Sequence, residues 1–142
     1  NTIRAQGKTA QGVIGIRMKT EDDCVAGLTK VSEGQDVLTI TSLALAKKTD
    51  ESTYQCAKNK GEKGIRCHKL SDKTGELVGI LAMKDEDLLL CTQNGKIIRI
   101  SSDDVRESKR DTTGNKLQNL DKGDFIKSIS LAPKAIEEKQ ED

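Results

Sequence analysis

Few side chains in this sequence are of the types that perform catalysis or bind metals, and their spacing suits neither task. The cysteines form no C-x-x-C pair, and the single histidine, His68, stands directly after Cys67. Zinc sites need several Cys or His ligands at short spacing. Paired acids at 22–23, 85–87 and 103–104 have no histidine or second carboxylate placed for general acid catalysis. We therefore predict no catalytic residue, no metal site and no cofactor in this chain, and free thiols at Cys24, Cys56, Cys67 and Cys91.

The elements that carry the remaining polar residues are indicated by an internal repeat. Three kinds of segment recur at a spacing of about fifty residues, which is the range of propeller blades. They are glycine-led segments at 12–18, 64–70 and 114–120, apolar segments at 24–31, 76–83 and 124–131, and strand-turn-strand segments at 36–49 and 87–100. Short apolar runs bounded by turn residues are typical of strands. With 1% aromatic residues, the core must be aliphatic.

The clearest turn lies at 93–96, where an Asn-Gly pair separates two apolar runs. This is the strongest short signal for a β-hairpin, and its type I′ turn has positive φ at both central residues. Each repeat then supplies roughly four short strands, as one propeller blade does. Residues 101–110 could form a helical turn capped by Ser102 or a polar connection.

The repeats divide the chain into four parts. We predict the second half of a blade at 1–32, complete blades at 33–84 and 85–133, and an acidic disordered tail at 134–142. The fold class is all-β, a propeller-like arrangement that makes an incomplete disc of roughly two and a half to three blades.

The order of the segments is more specific than any one of them. Residues 87–131 run through an apolar strand, a threonine, an Asn-Gly turn, a basic strand, a polar link ending in Thr-x-Gly, and a second apolar strand. Residues 4–18 repeat the latter half, and residues 47–83 hold Lys-Lys-Thr, a tyrosine and a basic, glycine-rich stretch. In this order the chain resembles the C-terminal domain of the DNA gyrase A subunit, or of the paralogous topoisomerase IV protein, at its last blades and acidic tail.

The resemblance implies a β-pinwheel whose basic rim binds duplex DNA without reading sequence and bends it. It also implies a place in a bacterial, ATP-dependent type II topoisomerase that introduces negative supercoils, with the catalytic tyrosine and the ATPase outside this chain. The partners so implied are double-stranded DNA, the gyrase B subunit, and the rest of the gyrase A subunit. The location implied is the cytoplasm, at the nucleoid, and no apolar run is long enough to span a membrane.

Binding of duplex DNA without sequence preference needs Lys and Arg spread over a surface, because phosphates dominate the affinity. The net charge of +1 hides an asymmetry, since residues 1–20 carry basic residues and no acid while the C-terminus is acidic. The scarcity of aromatic residues argues against single-strand binding, which relies on stacking. The candidate DNA-binding residues are Arg4, Lys8, Arg17, Lys47, Lys48, Lys58, Lys60, Lys63, Arg66, Lys96, Arg99, Arg106, Lys109, Arg110 and Lys116.

Recurrence at equivalent blade positions strengthens some of these candidates. We match Lys47 and Lys48 with Ile98 and Arg99 of the next repeat. We also match Arg66 with Arg17 and Lys116. For any single residue, a solvated strand face is the plainer explanation.

The sequence departs from the family pattern in two places. Residues 44–46 read Ala-Leu-Ala where the family has Gly-aromatic-Gly, and alanine is penalised at positive φ, so we expect that hairpin to turn differently. The family's box, Gln-Arg-Arg-Gly-Gly-Lys-Gly, has a degenerate counterpart at 58–64, with Glu62 in place of a glycine. We expect Tyr54 to pack between a blade and a link.

Two other functions fit the sequence less well. A protein-interaction propeller without a DNA role agrees with the near-zero net charge and predicts an apolar or mixed patch on one disc face. An enzyme would need convergent polar residues at the disc centre. Open strand edges predict possible self-association of the chain, and the tail is expected to compete with DNA for the rim.

Overall fold

The computed structural model describes residues 3–54 and 63–135. Its regular structure consists of short strands and two single 3₁₀ turns, at Glu51–Thr53 and Ser102–Asp104. The strands are β1 (Asp36–Thr41), β2 (Leu45–Asp50), β3 (Leu77–Met83), β4 (Asp87–Thr92), β5 (Ile97–Ile100), β6 (Asn115–Lys116) and β7 (Ile126–Ala132). The strand pairs are antiparallel, and the predicted all-β class is confirmed.

The strands form two sheets, in the orders β3-β1-β2-β6 and β5-β4-β7. The central strands β1 and β4 are equivalent in the repeat, and each lies between a hairpin partner and an apolar strand. The fourth strand of the first sheet, β6, belongs to the following repeat. The first sheet therefore combines strands of two repeats. Among the described residues, each repeat contributes three strands to its own sheet, fewer than the four predicted.

The two hairpin turns have the same geometry although their sequences differ. Gly95 N donates to Thr92 O at 3.1 Å, and Ala44 N donates to Thr41 O at 3.0 Å. Gly95 has a φ of 82° and Ala44 has a φ of 61°. The expectation that alanine would force a different turn was wrong, because the buried position of Ala44 and the bond from Leu45 N to the threonine hydroxyl hold the strained residue in place.

The Asn-Gly hairpin forms as predicted, but not with a type I′ turn. Asn94 has a negative φ, and Gly95 alone in this turn is left-handed. The hydrogen bond from Thr92 N to Lys96 O, 2.9 Å long, closes a three-residue loop. This is a type I turn followed by a left-handed residue, a common hairpin loop.

Residues 3–35 contain no strand, although strands were predicted at 12–18 and 24–31. Residues 64–70 also lack one, and of the third glycine-led segment only β6 is extended. A strand needs a neighbouring strand to satisfy its backbone groups. No counterpart of β1 or β4 lies beside residues 24–31 in the described chain. That segment instead borders β3, where Ala82 N donates to the Thr29 hydroxyl at 3.0 Å.

The core lies between the two sheets and is aliphatic, as the composition predicts. Its buried side chains are Leu38, Ile40, Ala44, Ala46, Met83, Leu88, Leu90, Ile100, Val105 and Ile126. Gly79 lets β3 approach β7, because a Cβ there would lie 2.5 Å from Cδ1 of Ile129. The sheets contact each other through β3 and β7, so that β2, with the short β6 beyond it, and β5 lie on the sides away from that contact.

Candidate nucleic-acid interface

The outer edge of β2 is covered by the link that follows β5, residues 106–116. Lys48 N donates to Arg106 O at 3.0 Å, and Ser108 N donates to Lys48 O at 2.8 Å. Further along, β6 pairs with the start of β2. Gly114 permits this approach, because its φ is 71° and a Cβ there would lie 2.6 Å from Ala46 O. The link is held by its backbone, so most of its side chains face solvent.

The glycine-led segment of the middle repeat lies against this link. Lys69 N donates to Thr112 O at 3.0 Å, and Arg110 Nη1 donates to Arg66 O at 2.6 Å. The guanidinium of Arg66 also lies 3.5 Å from a carboxylate oxygen of Asp111. The two segments therefore form one surface, although about forty residues separate them in sequence.

His68 fastens this surface to the sheet from inside. Its side chain is buried, and Nε2 lies 2.9 Å from Thr113 O, to which it donates. Nδ1 then accepts from the hydroxyl of Thr39 at 3.0 Å. Burial lowers the pKa of the imidazole below its ordinary range. The neutral ring is the form that can donate to one partner and accept from the other.

We call residues 63–69 and 106–116 the basic edge. Its basic residues are Lys63, Arg66, Lys69, Arg106, Lys109, Arg110 and Lys116, against the two acids Glu107 and Asp111. All of the basic side chains are exposed except that of Arg110, which is half-buried. Such a concentration of positive charge on one edge attracts a polyanion even when the net charge of the chain is near zero.

Lys69 is the one member of the basic edge that the sequence interpretation missed. Counted from the leading glycine, Lys69 holds the sixth place of its segment, as Arg17 does in the first repeat. Arg66 and Lys116 hold the third place. The match of Arg66 with Arg17 was therefore out of register, and a strict count would have found Lys69.

Lys47 was a candidate DNA contact, but its side chain is fully buried. Its ammonium donates to Lys109 O at 2.8 Å and to Arg110 O. Burial lowers the pKa of this amine. Lys47 therefore has no surface with which to meet a phosphate, contrary to the prediction. Its neighbour Lys48 is half-buried and donates to Ser102 O at 3.1 Å.

Two candidates lie on the second sheet, away from the basic edge. Lys96 forms an ion pair with Asp121, which raises the pKa of the lysine. Arg99 Nε donates to Asp87 at 2.9 Å, and its Nη2 donates to Pro133 O at 2.6 Å. The amide of Ala135 and then Arg99 hold the pKa of Asp87 below its usual range. Arg99 is thus engaged in fixing the end of β7.

The other candidates are spread along the chain. Arg4, Lys8 and Arg17 are exposed in the segment without strands. Lys58 and Lys60 lie outside the described residues, as do Cys56 and positions 136–142 of the predicted tail. Among the described cysteines, Cys24 is exposed and Cys67 and Cys91 are half-buried, all with free thiols.

The start of the second sheet carries the opposite charge. Asp85, Glu86 and Asp87 precede or begin β4, and Asp103 and Asp104 follow β5. Lys134 lies 2.8 Å from Asp103, which holds the pKa of that carboxyl below its usual range. The surface is therefore polarised, with a basic edge on the first sheet and an acidic end on the second.

Residues 3–54 and 63–135 hold neither a helix that could span a membrane nor a group of potential metal ligands. Their helices are too short and polar to cross a bilayer, and no three His, Cys, Asp or Glu side chains group closely enough to hold a metal ion.

Tyr54 lines a cavity with Leu28, Val31 and Ile80, and burial raises the pKa of its hydroxyl.

A family model described as the DNA gyrase C-terminal domain, beta-propeller, matches residues 1–29, 35–82 and 86–133. The DNA gyrase A subunit of Campylobacter fetus is 35% identical over 136 residues, which cover 94% of this chain and 16% of that protein. The DNA gyrase A subunit of Ureaplasma parvum is 39% identical over 132 residues, with 92% and 16% covered. The chain therefore spans 16% of the length of these relatives.

Two solved structures share the fold. A DNA gyrase A C-terminal domain superposes with a TM-score of 0.70 at 24% identity, covering 91% of this chain and 44% of that one. The C-terminal domain of a DNA topoisomerase IV gives 0.64 at 18% identity, covering 73% and 32%. The β-pinwheel expected from the sequence is the architecture of these neighbours.

Proposed function

We propose, from the premise that this chain belongs to the family of DNA gyrase C-terminal β-propeller domains, that it binds duplex DNA along the basic edge without reading base sequence. The observation that supports this most strongly is the basic edge itself. Seven basic residues and two acids, drawn from two distant segments, lie on one perimeter surface.

The charge on this surface suits phosphate binding. Lys and Arg side chains neutralise phosphates and release condensed counterions, which favours binding of any base sequence. Backbone hydrogen bonds to Lys48 and Ala44 fix the link at Arg106, at Ser108 and, just beyond its end, at Leu117, so the side chains are displayed on a rigid support. Described aromatic side chains that could stack with bases are limited to Tyr54 and Phe125, and neither belongs to the basic edge. Duplex phosphates therefore suit this surface better than unpaired bases.

The larger role we propose is that of a wrapping element in the gyrase A subunit of a type II topoisomerase. Bending a duplex of 20–30 base pairs costs roughly 1–6 kcal/mol, which must be offset by the sum of many contacts. A perimeter surface continued on neighbouring blades would supply that sum. The partners we further propose are the gyrase B subunit, together with the rest of the gyrase A subunit. We also propose a cytoplasmic location, and no chemistry or cofactor in this chain.

The exposed apolar side chains of the first segment support a protein partner as well. Val13, Ile14, Ile16 and Met18 are each at least 42% exposed, and Leu28 is 94% exposed. They lie in residues 3–31, which have no strand partner in the described chain, rather than on the basic edge. We propose that other parts of the gyrase A protein cover them, so that a protein contact and a DNA contact use different surfaces.

Binding to a random-sequence duplex of more than a hundred base pairs, titrated with salt, tests the proposal. We expect the logarithm of the binding constant to fall linearly with the logarithm of salt concentration, by about 0.9 for each neutralised phosphate. Competitor duplexes of different sequence should displace the probe equally. Binding that is insensitive to salt, or no binding at low salt by a longer chain carrying further blades, would contradict it.

A further inference from the structure

The ammonium of Lys47 lies beneath the basic edge rather than on it. Its side chain is fully buried on β2, between the sheet and the link. It donates to the carbonyl oxygens of Lys109 and Arg110. The ion pairs of the described residues do not include it. A buried charge of this kind is unfavourable unless hydrogen bonds compensate it.

The carbonyls that Lys47 binds belong to a row that points inward. Ser108 O accepts from the hydroxyl of Thr49 at 3.2 Å, and Thr113 O accepts from His68. Lys109 O accepts a second bond, from the hydroxyl of Thr112 at 2.9 Å. Because these carbonyls face the sheet, the side chain of Lys109 is exposed, and that of Arg110 lies half-buried against Arg66 O.

The equivalent position of the next repeat shows that the fold does not require a lysine here. Ile98 occupies that place on β5, which is the edge strand of its sheet. The fold therefore accepts an apolar residue at this position in the strand that holds no link in the described chain. The charged residue stands at the position where the link must be fastened.

We propose that Lys47 is a positioning residue for DNA binding, whose buried ammonium holds the link in the conformation that presents Lys109 and Arg110 to phosphates. This inference rests on the proposed function and extends it, because it assigns a role in DNA binding to a residue that cannot touch DNA. Removal of this one buried charge should therefore weaken DNA binding by more than the loss of a single phosphate contact does.

The test compares five forms of the protein: the unchanged chain, Lys47→Met, Lys47→Arg, Lys109→Met and Lys127→Met. Lys127 is exposed on β7, outside the basic edge, so its variant controls for the loss of one positive charge. Each form is titrated with salt on a random-sequence duplex, and amide hydrogen exchange is followed over residues 106–117.

We expect Lys109→Met to reduce the salt slope by about 0.9 and Lys47→Met by about 1.8, since two contacts are lost. Lys47→Met should also speed amide exchange at Ser108 and Leu117, which donate to Lys48 O and Ala44 O. Lys127→Met should change neither the slope nor the exchange. Lys47→Arg, which keeps a donor at this place, should restore much of the protection and of the slope.

If Lys47→Met leaves the exchange of the link unchanged, or alters the salt slope no more than Lys127→Met does, the inference is overturned. Should Lys47→Met fail to fold, the same two measurements on Lys47→Gln, which shortens the donor, decide the question. If the unchanged protein does not bind DNA, the proposed function fails first; the exchange data still report separately whether Lys47 holds the link.

Discussion

The hairpin strands β2 and β5 hold the same place in the repeat but have different surroundings, because β2 has a neighbour on its far side and β5 is the edge of its sheet. The middle of β2 is buried beneath the link, whereas Ile97 of β5 is 74% exposed. The difference does not come from the strands themselves, which pair with β1 and β4 in the same way. It comes from the following repeat, which sends its link back over β2. In the part of the chain that the structure describes, the basic edge therefore lies where two repeats meet.

The two hairpin turns have the same geometry, but the burial of their residues differs for the same reason. Ala44 and Gly95 are equivalent and both left-handed, yet only Ala44 is enclosed, with Leu117 N donating to its carbonyl at 2.9 Å. Lys47 is buried and hydrogen-bonded, and its equivalent Ile98 is half-buried. Local sequence determines the geometry of the hairpin turn. The neighbouring repeat determines which residues of the turn and of the second hairpin strand are buried.

The largest effect should come from adding a methyl group where the link meets β2. Gly114→Ala combines a positive φ with a contact of 2.6 Å to Ala46 O. We expect a loss of about 3 kcal/mol in the free energy of unfolding. Gly95→Ala has positive φ but nothing within 4 Å, so it should cost about 1 kcal/mol. Urea unfolding measures both, and equal losses would show that the link is not held as described.

A smaller effect is the pH dependence of stability, which should differ between the two sheets. The pKa of His68 is lowered by burial, and the pKa of Asp87 is lowered by Ala135 N–H and then by Arg99. In both cases the unfolded state binds the proton more readily. Stability is therefore full above the ordinary pKa and declines below it, from about pH 6.5 for the histidine and about pH 3.9 for the aspartate.

Thermal unfolding between pH 8 and pH 3 checks this separation. His68→Gln should cost about 1 kcal/mol at pH 8, through weakened hydrogen bonds, and should remove the decline that begins near pH 6.5. Asp87→Asn should weaken the acidic decline, to which Asp103 also contributes through its lowered pKa, and leave the upper one unchanged. Persistence of the upper decline in His68→Gln would contradict the role given to this residue, since the chain has no other histidine.

Much of this arrangement could be predicted from local patterns, and the rest depends on contacts between repeats. Short apolar runs bounded by turn residues predicted most strands of both sheets, and the Asn94-Gly95 pair predicted the second hairpin. The crossing of β6 to the first sheet could not be read from a pattern, because only two residues pair there. The burial of Lys47 was missed because an isolated lysine in a strand usually faces water.

The failed strand predictions have the same origin. Residues 12–18 and 24–31 carry apolar residues suited to strands, but an extended segment becomes a strand only beside a partner. The basic edge could be assembled from the sequence only in part. Its exposed members except Lys69 were named as candidates from residue type, and Lys69 was left out because the repeat was counted out of register.

The most direct test of DNA binding by the basic edge compares two variants with the same loss of charge. Arg106, Lys109 and Lys116 lie on the basic edge, and Lys73, Lys122 and Lys127 are exposed elsewhere. Each set is changed to glutamine, and the salt dependence of duplex binding is measured. We predict that the first variant loses about 0.9 in slope for each residue and most of its affinity, while the second stays close to the unchanged protein. Equal losses in the two variants would show that DNA is held by overall charge, and that the basic edge is not its binding surface.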